Sequence, residues 1–132
     1  MSLNQSHAIH LGLRRPFGEV YAFLSRPQNY AAWAAVTGAM QQIGPRDWRA
    51  DTALGDRIVR FCAPNSLGVL DHAVFREGES PVMLPMWLVA DGEGCDLVFV
   101  FFRRPEMTDE QFVSAIEWIN TDFLTLRSLL EV

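Results

Sequence analysis

Residues 107–130 read MTDEQFVSAIEWINTDFLTLRSLL and carry the strongest structural signal in the chain. Thr108 and Gln111 stand at the spacing of a capping box, and Asp109 and Glu110 suit the positive end of a helix dipole. Apolar residues then follow at alternating steps of four and three, at Phe112, Ile116, Ile119, Phe123, Leu126 and Leu130. We therefore predict a long amphipathic helix that lies on a sheet.

The rest of the chain reads as a first strand, short helices and then a series of strands. His7–Leu13 alternates in a way that is typical of a half-buried strand, and Pro16 marks the start of a helix. From Val36 to Arg103, strand-like segments are separated by turn signals such as Gly44-Pro45. We predict strands near Arg57–Cys62, Gly68–Phe75, Val82–Val89 and Cys95–Phe102. Connections this short join antiparallel neighbours, so the sheet should be a meander.

The composition is that of one globular domain over residues 1–132, and it excludes several function classes. The net charge of −5 argues against nucleic acid as a partner, because nucleic-acid binders usually carry a basic patch. The chain contains no lysine, since all 11 basic residues are arginine. Schiff-base chemistry and a phosphate-binding lysine loop are therefore excluded.

The cysteine count and the first residues indicate the compartment. Cys62 and Cys95 are too few for a disulfide scaffold, and Met1–Ser6 lacks the basic start and apolar run of a signal peptide. No apolar stretch approaches the roughly 20 residues that span a bilayer. We expect a reduced, cytoplasmic protein without a membrane span.

Three stretches resemble a known superfamily. PFGEVYAFLSRPQNYAAW (Pro16–Trp33) resembles the first helices of the START-like superfamily, also called SRPBCC. NSLGVLDH (Asn65–His72), and Met107–Phe112 followed by Trp118 and Asp122, are similar to a bacterial polyketide cyclase/dehydrase-like subgroup. The resemblance implies an α+β helix-grip fold of the START and Bet v 1 type. In that fold a curved antiparallel sheet wraps round a long C-terminal helix, with two short helices after the first strand.

The resemblance also implies a cavity for apolar small molecules between the sheet and the helix. Members of the superfamily include carriers, lipid binders, hormone receptors, aromatase/cyclases and ring-hydroxylating oxygenase domains, so the fold alone does not choose an activity. The oxygenases need an iron site of two histidines and a carboxylate. The chain has only His7, His10 and His72, and no spacing supports such a triad. We predict no metal and no cofactor.

Asp71 and His72 are the candidate catalytic residues, because they are polar residues within an otherwise apolar strand. Strand alternation places them on opposite faces, so they cannot form a dyad, and the pattern leaves open which one faces the cavity. The inward residue would orient a ligand or act as a general acid or base. The alternative is a buried polar group held by a backbone or arginine partner.

The aromatic residues supply the remaining candidates for ligand binding. Trp33, Trp87 and Trp118 are amphipathic surfaces whose N–H groups could reach a cavity, and Phe61 and Phe99 would line it; core packing is the alternative use. Asp122 lies near Trp118 on the final helix. We expect it to meet an arginine of the sheet, such as Arg57 or Arg60.

Three functions are consistent with these residues. The first is binding of a small hydrophobic or aromatic molecule, with Trp33, Phe61, Asp71, His72, Trp87, Phe99 and Trp118 as contacts. The second is a polyketide cyclase/dehydratase-like enzyme that uses Asp71 or His72 as general acid or base. The third is an interaction module like the chaperone-activating members of the superfamily, which would need an exposed apolar patch. Edge strands would also allow a homodimer.

Overall fold

A computed structural model of the chain describes residues 5–35 and 37–132. Val36, where the predicted series of strands begins, lies outside the described residues. The helices are α1 (Phe17–Leu24), α2 (Tyr30–Trp33, preceded by a 3-10 turn at Pro27–Asn29) and α3 (Asp109–Leu130). The strands are β1 (Ser6–Leu13), β2 (Thr37–Gln42), β3 (Asp47–Thr52), β4 (Gly55–Phe61), β5 (His72–Phe75), β6 (Val82–Leu84), β7 (Met86–Asp91) and β8 (Gly94–Phe102).

The long C-terminal helix begins and packs as its sequence predicts. The Gln111 backbone N–H donates to Thr108 Oγ1 at 3.1 Å, and the Thr108 backbone N–H donates to Gln111 Oε1 at 2.9 Å. Both halves of the capping box are therefore present. The predicted apolar stripe faces the core, where Phe112, Phe123 and Leu126 are buried. Among the described helices, none is long and apolar enough to cross a bilayer.

The strands pair in two antiparallel groups. β2, β3, β4, β5 and β6 follow one another as the predicted meander, and β7 pairs with β8, which pairs with β1. The predicted strand Val82–Val89 is therefore divided between the groups. The break lies at Pro85, which has no N–H to donate to a neighbouring strand.

The division at Pro85 does not interrupt the strand register. His72 lies opposite Leu84 in the β5–β6 pair, and in the same register Val69 bridges to Trp87 in β7. The predicted strand Gly68–Phe75 is thus regular only from His72 onward. Its first half still pairs with β7 through the isolated bridge and joins the two groups.

The core fills the space between one face of this sheet and the helices. Strand alternation puts Leu11 of β1, Leu88 of β7 and Leu97 of β8 on that face, and all three are buried with Leu126 of α3. We call this the concave face. The opposite face carries a smaller apolar cluster of Ile58, Ala73 and Phe75.

The loop before β5 is held against β7 by close backbone contact at Gly68. Gly68 has a φ of +79°, and its carbonyl accepts the Leu88 N–H at 2.8 Å. A Cβ atom there would lie 2.4 Å from the Leu88 carbonyl oxygen. The Asn65 side chain fixes the same loop by accepting the N–H groups of Leu67 and Val69.

We expect Gly68→Ala to lower the free energy of unfolding by about 2 kcal/mol or more, because it adds left-handed strain and a backbone clash. Gly12→Ala is the matched control, since no atom lies within 4 Å of its added Cβ, and it should change stability by less than about 0.5 kcal/mol. Urea unfolding measures both. Equal effects of the two substitutions would contradict the Gly68 contact.

Candidate functional site

Six rings meet between the concave face, α2 and α3, and we call them the inner ring cluster. Tyr30 is its centre, with ring centroids 5.3 Å from Trp33, 5.5 Å from Phe61 and 5.3 Å from His72. Phe99 completes it from β8 and Phe123 from α3, with their ring centroids 6.2 Å apart. Four predicted ligand contacts, Trp33, Phe61, His72 and Phe99, therefore come together.

Of the two candidate catalytic residues, His72 is the one that faces inward. His72 is 3% exposed, and its ring stacks on Phe61, its cross-strand partner on β4. His72 Nδ1 lies 3.2 Å from the Leu70 carbonyl oxygen. A carbonyl can only accept, so Nδ1 carries the proton and donates. In the neutral ring Nε2 is then the acceptor.

Tyr30 supplies the donor for that acceptor. Its hydroxyl oxygen lies 3.3 Å from His72 Nε2, a distance at the long end for a hydrogen bond. Burial raises the pKa of Tyr30, and the Asp122 charge adds to this, so the hydroxyl keeps its proton. Burial lowers the pKa of His72, against the effect of the Leu70 carbonyl and Asp71. A neutral imidazole therefore accepts from a neutral phenol inside the ring cluster.

Asp71 lies outside this pair and has a structural contact. Its Oδ1 accepts the Met86 N–H at 2.9 Å. In a regular antiparallel pair Leu70 and Met86 would exchange both backbone bonds, but here only the Leu70 N–H donates to the Met86 carbonyl. The Leu70 carbonyl is thus free to accept His72 Nδ1. Asp71 therefore lies beside the inner ring cluster with one carboxylate oxygen on the Met86 N–H, and His72 is the residue of the two that points into the cluster.

Asp122 is 8% exposed and does not meet an arginine of the sheet, so that expectation is wrong. Its Oδ1 accepts the Ala35 N–H at 3.2 Å, and burial raises its pKa while the Ala35 donor opposes the rise. Arg60 instead pairs with Asp47, 2.8 Å away on the opposite face of the sheet. Arg57 donates to the Asp56 carbonyl. Asp122 therefore ties α3 to the end of α2.

Two of the predicted tryptophan contacts lie away from the cluster. Trp87 lies between Met86 and Leu88, which point into the core, so alternation turns Trp87 to the other face of the sheet. There it is opposite Val98 of β8. Trp118 is 50% exposed on α3, because its position falls outside the apolar stripe. Neither residue belongs to the inner ring cluster.

A buried tryptophan that the sequence analysis did not select lies on the concave face. Trp48 of β3 is 8% exposed, and its Nε1–H has no hydrogen-bond partner among the described residues. Alternation with Asp47 and Arg49 marks it as an inward residue. The lack of a hydrogen-bond acceptor for Nε1–H, however, can be recognised only from the three-dimensional structure.

A narrow cleft leads toward the ring cluster beside α1. Tyr21 and Leu24 of α1 line it together with Phe61, Leu70 and the predicted site residue Asp71, and the volume is about 20 Å³. This space holds about one water molecule. Within residues 5–35 and 37–132, no three His, Cys, Asp or Glu side chains are grouped to hold a metal ion.

Solved structures share this architecture at low sequence identity. A START superfamily protein from Mycobacterium smegmatis superposes with a TM-score of 0.71 at 11% identity, over 96% of this chain and 97% of that one. Ara h 8.0201 superposes with a TM-score of 0.68 at 10% identity, over 96% and 97% of the two chains. The chain therefore has the helix-grip fold that these structures share.

The same helix-grip fold occurs in the Aha1 dimer from Colwellia psychrerythraea, with a TM-score of 0.73 at 14% identity over 97% of each chain. No protein-family model and no curated protein matches the sequence. At such sequence identities the structural similarity establishes the fold and not the chemistry.

The buried His72 gives this helix-grip protein a specific pH dependence. Because the folded pKa lies below the ordinary value of 6.5, the unfolded chain binds a proton first as the pH falls. The neutral His72 therefore contributes fully to stability above about pH 6.5. Below that pH the free energy of unfolding falls, by at most about 1.4 kcal/mol per pH unit. Asp122, with a raised pKa, acts in the opposite direction.

We expect His72→Phe to lack the fall in the free energy of unfolding that protonation of His72 causes below about pH 6.5. The contribution of Asp122 is the same in the wild type and in the variant. Urea unfolding of wild type and variant between about pH 5 and 7 measures the difference. Parallel curves over that interval would contradict a buried, neutral His72.

Proposed function

We propose that this protein binds a small aromatic or otherwise hydrophobic molecule between the concave face and α3. The observation that carries the proposal is a hydrogen-bonded Tyr30–His72 pair inside a cluster of buried and half-buried rings. Ligand sites are usually apolar surfaces with a few placed polar groups, and this is such a combination. Apolar burial would supply the affinity and the polar groups the orientation.

The approach to the rings in this proposal is the cleft between α1 and Phe61. Its present volume of about 20 Å³ is too small for an organic molecule. The side chains of Tyr21 and Leu24 must therefore move when a ligand enters. Such movement costs free energy, so affinity should be lower than for a preformed pocket with the same lining.

Filling the concave face should block binding. Val74 of β5 lies on this face, opposite Val59 of β4, so Val74→Trp would occupy space that a ligand needs. We expect Val74→Trp to weaken binding of 2-ethylnaphthalene at least about tenfold in equilibrium dialysis.

Val89→Trp is the matched control, since Val89 is a strand valine that is 47% exposed on the other face. It should bind the probe as the wild type does. If both variants bind equally well, or if the wild type binds neither 2-ethylnaphthalene nor its ketone analogue 2-acetylnaphthalene, the proposal is wrong.

A second candidate is an acid–base enzyme of the cyclase/dehydratase type. The Tyr30 hydroxyl and the neutral His72 imidazole, 3.3 Å apart, are groups that could give and take a proton. Asp71 lies outside the inner ring cluster with its Oδ1 on the Met86 N–H, so in this hypothesis His72 and Tyr30 are the groups that move the proton.

Hydrogen exchange distinguishes the two candidates without knowledge of the natural substrate. If the protein only binds, the methyl hydrogens of 2-acetylnaphthalene should exchange with D₂O no faster than in protein-free buffer. A placed acid or base contributes about a hundredfold or more. Acceleration of that size by the wild type, lost in Tyr30→Phe, would favour the enzyme; proton NMR measures the exchange.

The interaction-module hypothesis has less support. α3 carries four exposed apolar side chains, Val113, Trp118, Leu124 and Leu129. At helical spacing Val113 and Leu124 share one side of α3, while Trp118 and Leu129 share another. These are two separated pairs and not the continuous patch that a docking surface needs.

A further inference from the structure

Trp48 is a buried donor without an acceptor. Its side chain is 8% exposed, and no described residue accepts from Nε1–H. Buried polar groups in folded proteins are nearly always paired, because leaving one unpaired is costly. An exception on the concave face, beside the inner ring cluster, points to a partner that is not among the described residues, and a ligand on this face could supply it.

The strand register places Trp48 beside the inner ring cluster. Trp48 lies directly opposite Val59 of β4, and Phe61 is the next residue of β4 on the same face. Such diagonal neighbours are about 7–8 Å apart, within reach of aromatic side chains. One bicyclic molecule could therefore lie on Phe61 and meet the Trp48 N–H.

The buried His72 and Asp122 side chains already have hydrogen-bond partners. His72 donates to the Leu70 carbonyl and accepts from Tyr30, and Asp122 accepts from Ala35. A ligand group does not have to satisfy any of these. The indole N–H, in contrast, is a donor that only an acceptor atom can satisfy.

We propose that Trp48 determines specificity at this site, and that the ligand is an aromatic molecule that bears an acceptor oxygen, such as an aryl ketone. This inference rests on the proposed binding function. It adds that the ketone oxygen accepts from Trp48 Nε1–H while the rings lie against Phe61.

Two probes of nearly equal shape test the inference. 2-Acetylnaphthalene has the acceptor oxygen, and 2-ethylnaphthalene lacks it. The wild type should bind the ketone about tenfold more tightly in equilibrium dialysis. In Trp48→Phe, which keeps an aromatic ring and removes the N–H, this ratio should fall to about one. Trp118→Phe, the same change at the exposed tryptophan of α3, should keep the wild-type ratio.

A spectroscopic readout on the wild type keeps the test valid if Trp48→Phe does not fold. The chain has four tryptophans and hence four indole N–H resonances, which can be assigned by sequential NMR methods. The Trp48 resonance should move downfield with the ketone and not with the hydrocarbon.

The outcomes separate the inference from the function on which it rests. If the wild type binds both probes equally, or if the preference survives in Trp48→Phe, Trp48 is not the specificity determinant and the binding proposal stands. If the wild type binds neither probe, the binding proposal fails, and this inference fails with it.

Discussion

The hydrogen bond from the Met86 N–H to Asp71 is the interaction on which the site depends. It lies where Pro85 divides the sheet, at the join between its two groups of strands. Because Asp71 takes the Met86 N–H, the Leu70 carbonyl is released to accept His72 Nδ1. That bond fixes the tautomer of the ring and leaves Nε2 to face Tyr30. The missing backbone hydrogen bond from Met86 to Leu70 therefore allows the buried His72 imidazole to be oriented by the Leu70 carbonyl.

The buried polar groups near the rings differ in whether they have a partner: His72 and Asp122 are hydrogen-bonded, and the Trp48 N–H is not. The Tyr30–His72 pair is enclosed by rings, which makes it costly to separate and hence well fixed in position. Trp48 has no such partner. In the proposed complex, Trp48 would orient the ligand through its N–H, and the paired groups would shape the surface against which the ligand lies.

The sequence predicts those parts of the fold that depend on residues close together in the chain. The capping box of α3, the alternation of β1 and the helix after Pro16 need only neighbouring residues, and all three were predicted. The inward direction of His72 could not be predicted, because alternation allows two solutions that only the sheet register separates. The same ambiguity misplaced Trp87.

Other features of the site depended on partners that are distant in sequence. Asp122 does not contact Arg60 because Arg60 lies on the face of the sheet that is turned away from α3, where it pairs with Asp47. Trp33, Phe61 and Phe99 meet because they belong to elements that the fold brings together. Trp48 was overlooked because an unpaired donor can be recognised only once its surroundings are known.

The most direct test of the account is to locate a bound aromatic probe by intermolecular nuclear Overhauser effects. With labelled protein and unlabelled 2-ethylnaphthalene, the account predicts contacts from the probe to the side chains of Phe61, His72 and Phe99. Contacts confined to the exposed apolar residues of α3, such as Trp118 and Leu129, would show that the probe only adheres to the surface. That result would contradict a ligand site on the concave face.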